Sequence, residues 1–342
     1  MRAIALQRFA PDGDTTALVM ADRPQPAAPA AGEVLVRVKA CSLNFRDWLM
    51  LLGQYNPKQR LPLIPVSDGA GEVISTGDGV TAFAPGDRVL GHFFPAWASG
   101  EPSVAKFAVS MGGPHDGWLT EYRCYPAAAL AKIPDHLSYE EAAALPCAAL
   151  TAWSAIVTLG NVRPGDRVLV QGTGGVALFA LQFAKLCGAE VIVTSSSDEK
   201  LARAKTLGAD HGINYRNDPE WGRAARALTG GAGLDHIVEL GGAETLNQSI
   251  RAIRPGGMIS MIGVLSGPKN ALHIPLVVMQ QVRLQGVTVG PKEALDAMLR
   301  AMAQAKLHPV IDSRFDFSEA GVRDAFSHMG KAAAFGKIVV GM

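Results

Sequence analysis

The stretch Arg167-Val-Leu-Val-Gln-Gly-Thr-Gly-Gly-Val-Ala-Leu-Phe-Ala-Leu-Gln-Phe-Ala-Lys185, continued to Lys200, decides the fold. It reads as strand, glycine turn, helix, strand. Residues 168–170 form a short apolar run rich in β-branched side chains. Gly172, Gly174 and Ala177 then give G-x-G-x-x-A, with Gly175 and Val176 inside the motif. Residues 177–186 have helical composition, Gly188 ends them, and Val191-Ile-Val-Thr194 is the next strand. A dinucleotide-binding turn requires this order. Its first glycine makes the tight turn and its second lets backbone approach a pyrophosphate. A small third residue packs helix against strand, and the helix N-terminus faces the phosphates. The motif alone is weak; its flanks make the reading specific.

The end of the second strand bears on which dinucleotide is bound. NAD sites usually place a carboxylate there for the ribose 2′-hydroxyl. Here the strand ends in Thr194-Ser195-Ser196-Ser197, and the first carboxylate is Asp198. Lys200 follows, and Tyr215-Arg216 lies one strand further on. Hydroxyls and cations suit a 2′-phosphate, which a carboxylate would repel. Ser195, Ser196, Lys200, Tyr215 and Arg216 are therefore candidate NADP(H) ligands. The plainer alternative makes Lys200 and Arg216 solvated surface charges.

Composition narrows the class. The chain has 342 residues, so two domains are expected. With 48% hydrophobic residues, 18% charged and a net charge of +1, it has ample core and no electrostatic case for nucleic acid or an anionic membrane. Four cysteines, Cys41, Cys124, Cys147 and Cys187, form no C-x-x-C pair and suit a reducing compartment. No apolar run is long enough to span a bilayer, and the first residues lack a signal core. A cytoplasmic enzyme is expected.

The chain divides by pattern. Glu33-Val-Leu-Val-Arg-Val-Lys-Ala40 alternates at period two, and strands at 71–77 and 86–91 are punctuated by glycine and proline. This predicts a small barrel-like β domain. From Thr151 to Gly290 strands alternate with helices, with strands at 167–171, 190–194, 211–214, 235–239, 257–262 and 283–289. That pattern predicts an α/β, doubly wound parallel sheet. Residues 291–342 hold a helix at 293–305 and a strand at 336–341, returning to the first domain. The expected division is 1–150 with 291–342, and 151–290. The segment 92–118 reads as an irregular loop.

Together Asn44-Phe-Arg-Asp47, Ile64-Pro-Val-Ser-Asp-Gly-Ala-Gly-Glu72, Pro85-Gly-Asp-Arg-Val89, Pro164-Gly-Asp166, the 172–177 turn and Phe335-Gly-Lys-Ile-Val339 make the chain resemble the medium-chain dehydrogenase/reductases. The resemblance spans nearly the whole sequence. It implies a GroES-like catalytic domain joined to a Rossmann domain. It also implies a substrate cleft between domains, and a homodimer or homotetramer joined through sheet edges near 283–289. By the same resemblance, Thr151, Gly263-Val-Leu265, Val289 and Gly290 lie near the nicotinamide. Their plainer roles are a helix start and turn residues.

The departures from that family bear on the chemistry. Its zinc enzymes hold the metal with two Cys and one His. Here those positions read Asn44, Ser67 (followed by Asp68) and Cys147. One thiol, an amide and a hydroxyl are poor donors for Zn²⁺. The 92–118 loop also lacks the four cysteines of a structural zinc lobe. No metal is expected.

Without a Lewis acid, the expected reaction is hydride delivery from NADPH to an already electrophilic acceptor, a quinone or an α,β-unsaturated carbonyl. The resemblance is nearest to the zinc-free quinone oxidoreductases and enoyl reductases. It makes Tyr55, in Leu52-Gly-Gln-Tyr55, a proton donor or oxygen ligand, helped by the Asn44 amide. The alternatives for these two are a loop aromatic and a turn residue. Phe93, Phe94, Trp97 and Trp118 either line an apolar acceptor site or pack the loop onto its domain. Arg46 and Asp47 read as a structural ion pair or as contacts to other cleft residues, with no catalytic part assigned. Two other functions stay open: an alcohol or aldehyde dehydrogenase, and a non-catalytic NADPH-binding sensor.

Overall fold

Hydrophobic runs of four to six residues, each followed by an amphipathic helix, bury themselves best as a parallel sheet covered on both faces. The computed structural model, which describes residues 1–267, 269 and 271–342, contains such a sheet. Two units divide the chain: residues 1–150 with 290–342, and residues 151–289.

In the first unit the strands are β1 (Arg2–Leu6), β2 (Leu18–Asp22), β3 (Glu33–Leu43), β4 (Asp68–Thr76), β5 (Arg88–Gly91), β6 (Tyr122–Pro126) and β7 (Leu130–Lys132). The second unit holds β8 (Arg167–Gln171), β9 (Glu190–Ser195), β10 (His211–Asn214), β11 (Leu234–Glu239), β12 (Ile253–Met261) and β13 (Arg283–Gly286). The chain then adds β14 (Ile311–Asp316) and β15 (Lys337–Gly341) to the first unit.

β3 organises the first unit. It pairs antiparallel with β4, β6 and β15. Its alternation places Val36 and Val38 inside, while Arg37 and Lys39 reach Glu72 at 3.0 and 3.5 Å. The core gathers around Trp118, which is fully buried. Its indole lies against Gly69 and Gly91, where an added Cβ would come within 2.4 and 2.1 Å of the ring. These two glycines let the ring lie flat on β4 and β5.

The second unit has the strand order β10-β9-β8-β11-β12-β13, all pairs parallel. Numbered within the unit, this is 3-2-1-4-5-6, the doubly wound order with its switch point between β8 and β11. Leu169, Ile192, Ile237 and Ile259 form its core with Trp221.

Several boundaries differ from the sequence reading. The dinucleotide helix begins at Gly175 and not at Ala177. The last sheet strand stops at Gly286, because Val289 takes φ 55° and leaves the ladder. Thr151 does not start a helix: it is buried within the helix Leu150–Trp153, between π turns at Leu145–Ala149 and Ser154–Thr158. A strand at 311–316 and a helix at 319–330 are additional. The 92–118 segment is mostly loop, with one short helix at Val104–Phe107. Among the described residues no helix is long and apolar enough to cross a membrane.

Candidate active site

The glycine turn follows β8 at the switch point. Gly172 takes φ 76°, a conformation that a side chain would strain, and its N–H donates to Thr194 O at 2.8 Å. Gly174 caps the helix Gly175–Leu186, and no side chain caps it. A Cβ added at Gly172 or Gly174 would meet nothing within 4 Å. The first-turn N–H groups are thus left for an outside acceptor, in a space kept open by missing side chains. That fits a pyrophosphate.

Beside the turn, β9 and β10 end together, with Ser195 opposite Asn214. Tyr215 N donates to Ser195 O at 3.1 Å. Ser195 is buried and its Oγ accepts from Ser197 N, while Ser196 is half-buried. Ser197 is occupied as the cap of the helix Asp198–Thr206, which carries Lys200 in its first turn. Tyr215 and Arg216 are exposed. The structure therefore gathers Ser196, Lys200, Tyr215 and Arg216 at one sheet end, and turns Ser195 inward.

Gly263-Val-Leu265 follows β12. Gly263 N donates to Glu239 O at 3.2 Å, and Val264 and Leu265 project outward, 56% and 60% exposed. A cleft of about 230 Å³ within this unit is lined by Gly242, Leu246, Met261, Gly263 and Val264, among others. Val289 is buried. Gly290 belongs to the first unit, where its carbonyl meets His92 Nε2 at 2.8 Å.

Sequence reasoning missed Gln171, the last residue of β8. Its Nε2 donates to Glu239 Oε2 at 2.6 Å, and its Oε1 accepts from the N–H groups of Leu240 and Gly241. Glu239 also accepts from Thr245 and Ser249 hydroxyls and from Gly241 and Gly242 N–H groups. A buried carboxylate with no cation is held here by donors alone.

In the first unit, buried Asn44, Ser67 and Asp68 form one polar chain with half-buried Cys147. Asn44 Nδ2 donates to Ser67 Oγ at 3.3 Å, and Ser67 Oγ donates to Asp68 Oδ1 at 2.7 Å. Cys147 N donates to Asp68 Oδ2 at 3.0 Å. The chain is completed by Lys337, which sequence reasoning also missed. Its ammonium is buried and donates to Asn44 Oδ1 at 2.5 Å and Leu43 O at 2.7 Å. Burial pushes the Asp68 carboxyl up and the Lys337 ammonium down, and each charge opposes the shift of the other.

These residues do not fit a catalytic zinc. Cys147 is the one thiol among them, and Asn44 and Ser67 add only an amide and a hydroxyl, poor donors for Zn²⁺. The Asp68 oxygens are committed to Ser67 and to the Cys147 amide, and an ammonium already stands in the network. Among the described residues no group of three or more His, Cys, Asp or Glu could hold a metal.

The helix Phe45–Leu51 begins at Asn44, whose N–H donates to Asp47 Oδ2 at 2.8 Å. Asp47 is buried, and that burial pushes its carboxyl up to about 6 against the pull of Arg46, 3.5 Å away. Arg46 donates to Met111 O and Gly113 O, and its guanidinium lies 4.6 Å from the Tyr55 ring centroid and 5.0 Å from that of Phe93. Tyr55 is thus an exposed ring, 48% accessible, backed by a cation. The loop aromatics take the packing alternative: Phe93, Phe94, Trp97 and Trp118 are all buried.

The zinc-binding dehydrogenase family matches residues 175–304, and the alcohol dehydrogenase GroES-like domain matches residues 30–135. A zinc-type alcohol dehydrogenase-like protein of Schizosaccharomyces pombe is 42% identical over 315 residues, 90% of each chain. A crystal structure of a putative alcohol dehydrogenase from Sinorhizobium meliloti 1021 superposes with a TM-score of 0.92 at 43% identity, covering 100% of this chain and 98% of that one. The quinone oxidoreductase from Coxiella burnetii superposes with a TM-score of 0.80 at 27% identity, covering 100% and 99%. Strand order, open glycine turn and these likenesses agree: the chain belongs to the medium-chain dehydrogenase/reductases, oxidoreductases that bind a nicotinamide dinucleotide.

Proposed function

We propose that this enzyme is an NADPH-dependent reductase of quinones or α,β-unsaturated carbonyls that works without zinc. The observation that carries the reading is the Asn44–Ser67–Asp68–Cys147 chain with the Lys337 ammonium inside it: hydrogen-bond donors and a fixed cation stand where the family's zinc enzymes have metal ligands. A quinone or conjugated carbonyl accepts hydride without a metal, because its own π system takes the electron pair. The Coxiella burnetii likeness lies in the same direction.

When bound, NADPH supplies a hydride from its nicotinamide. The open turn at Gly172 and Gly174 receives the pyrophosphate on backbone N–H groups. Ser196, Lys200, Tyr215 and Arg216 hold the 2′-phosphate. Thr151, Gly263-Val-Leu265, Val289 and Gly290 are assigned to the nicotinamide side. Asn44 and Tyr55 serve the acceptor oxygen, with Tyr55 held over Arg46. The division of labour follows 1–150 with 291–342 for the acceptor and 151–290 for the cofactor. A homodimer or homotetramer in the cytoplasm completes the proposal.

The test is NADPH oxidation by chelator-treated protein, with a panel of benzoquinone, alkenals, enoyl thioesters and saturated aldehydes, repeated with NADH. Turnover of quinones or enones, faster with NADPH and unmoved by chelator, supports the reading. Activity confined to alcohols or saturated aldehydes and lost on chelation refutes it. Tight NADPH binding without turnover of any acceptor points to a sensor.

A further inference from the structure

Among the described residues Lys337 is the most deeply buried lysine or arginine, ahead of Arg46. It is 3% exposed, and its ammonium donates to one backbone carbonyl and one carboxamide oxygen. Burying an ammonium is costly unless it is paired and hydrogen-bonded. Asp68 is the negative charge that acts on it most strongly, and the neutral Asn44 and Ser67 side chains link the two. A fold that needed only a core filler at 337 would be better served by an apolar residue.

The bond lengths around Asn44 show what this cation does. A carboxamide has an accepting end and a donating end, and a free one can turn over. Here the accepting end is claimed by a charge-assisted bond of 2.5 Å. The donating end meets Ser67 Oγ at 3.3 Å and also bonds the Asp68 carboxylate. Lys337 thus holds Oδ1 on the ammonium and makes Nδ2 the donating end, the one an incoming oxygen engages in place of Ser67 or Asp68. Drawing electron density toward Oδ1 also makes those N–H groups stronger donors.

We propose that Lys337 is a positioning residue for the reaction: it locks the Asn44 amide with Nδ2 as donor and makes it a one-residue oxyanion site for the acceptor carbonyl. This rests on the reductase reading above. In the step it serves, a hydride carrying both electrons leaves NADPH and bonds to the electrophilic carbon of the acceptor. The π pair shifts to the carbonyl oxygen, which becomes an enolate or hydroquinone anion. Asn44 Nδ2–H donates to that oxygen as its charge grows, and water later supplies the proton.

The experiment combines steady-state kinetics with a probe that needs no turnover. Reduction of 2-cyclohexenone and 1,4-benzoquinone by NADPH is measured for wild type, Lys337→Met, Lys337→Arg and Asn44→Asp. In parallel, p-nitrophenol is titrated by its absorbance on each protein with NADP⁺ present, its phenolate standing in for the oxyanion. Lys337→Met is expected to lower kcat by roughly 10- to 100-fold, as loss of an aligned oxyanion donor does, with the KM for NADPH unchanged within about twofold. Lys337→Arg recovers part of the rate, because it keeps the cation. Wild type lowers the ionisation midpoint of bound p-nitrophenol, and Lys337→Met and Asn44→Asp return it toward the free value. Asn44→Asp covers the case in which Lys337→Met does not fold, since it keeps an oxygen for Lys337 while replacing the donor with an oxygen that repels an oxyanion.

The proposal is overturned if folded Lys337→Met keeps its kcat within about threefold of wild type. It is also overturned if Asn44→Asp keeps both kcat and the p-nitrophenol shift, or if wild type shows no such shift. Should wild type reduce neither acceptor yet shift p-nitrophenol in a Lys337-dependent way, the reductase reading falls and the positioning role stands.

Discussion

Gln171 and Glu239, the last residues of two neighbouring parallel strands, meet at 2.6 Å on either side of the point where the strand order reverses. Glu239 accepts and never donates there: its partners are an amide, two hydroxyls and two backbone N–H groups. Glu239→Ala leaves several buried donors unpaired and is expected to lower the unfolding free energy by about 3 kcal/mol. Glu239→Gln is expected to cost nearly as much, because its new NH₂ group faces donors. Urea unfolding of the three proteins checks this. A Gln variant as stable as wild type would contradict it.

The two motif glycines should separate when mutated. Gly172→Ala forces a side chain into φ 76° and is expected to cost about 1–2 kcal/mol of stability. Gly174 has φ −80° and open space around it. Gly174→Val should therefore leave the unfolding midpoint nearly unchanged while weakening NADPH binding by at least about tenfold, as the branched side chain fills the pyrophosphate's place. Calorimetric titration beside thermal unfolding distinguishes the two effects.

Cofactor choice should respond to charge at the ends of β9 and β10. Arg216→Ala is expected to weaken NADPH binding by about tenfold and leave NADH binding nearly unchanged, as loss of one charged hydrogen bond to a phosphate does. Ser196→Asp should go further and favour NADH. Equal effects on both cofactors would mean the 2′-phosphate lies elsewhere.

How much of this was legible in the sequence follows from where each signal lies. The parallel sheet was, because runs such as Val168–Val170 and Val191–Val193 are buried on both faces and carry their signal locally. The edge strand Ile311-Asp-Ser-Arg-Phe-Asp316 was not: it is mostly half-exposed, and its polar residues read as loop. Lys337 sits in a Gly-Lys-Ile-Val run that reads as strand, but its partner Asn44 is 293 residues away. No periodicity announces a buried ammonium. The aromatics of 92–118 were ambiguous for a related reason. Phe94 is explained by ring contacts with Phe93, Trp97 and Phe107 at 4.6, 6.2 and 5.1 Å, the latter two made by the folded loop.

His236 should contribute a loss of stability in mild acid. His236 is buried against Ser260 Oγ, and burial lowers its pKa to about 4 from the usual 6.5. The unfolded chain therefore binds a proton between these values while the folded one does not, so stability is full above pH 6.5 and is lost as pH falls toward 4. The shift corresponds to about 3 kcal/mol. His236→Gln should flatten this part of the stability profile in urea unfolding at stepped pH. An unchanged slope would assign it to other groups.

The central claim is metal-free hydride transfer to a conjugated acceptor, and following the label tests it most directly. Chelator-treated protein, shown by mass spectrometry to carry no zinc, is given NADPH deuterated at nicotinamide C4 on the face it uses, with 2-cyclohexenone. The account expects cyclohexanone carrying one deuterium at the β carbon, at the same rate before and after chelation. Product formed only when zinc is restored, or deuterium at a carbinol carbon of an alcohol product, would contradict it.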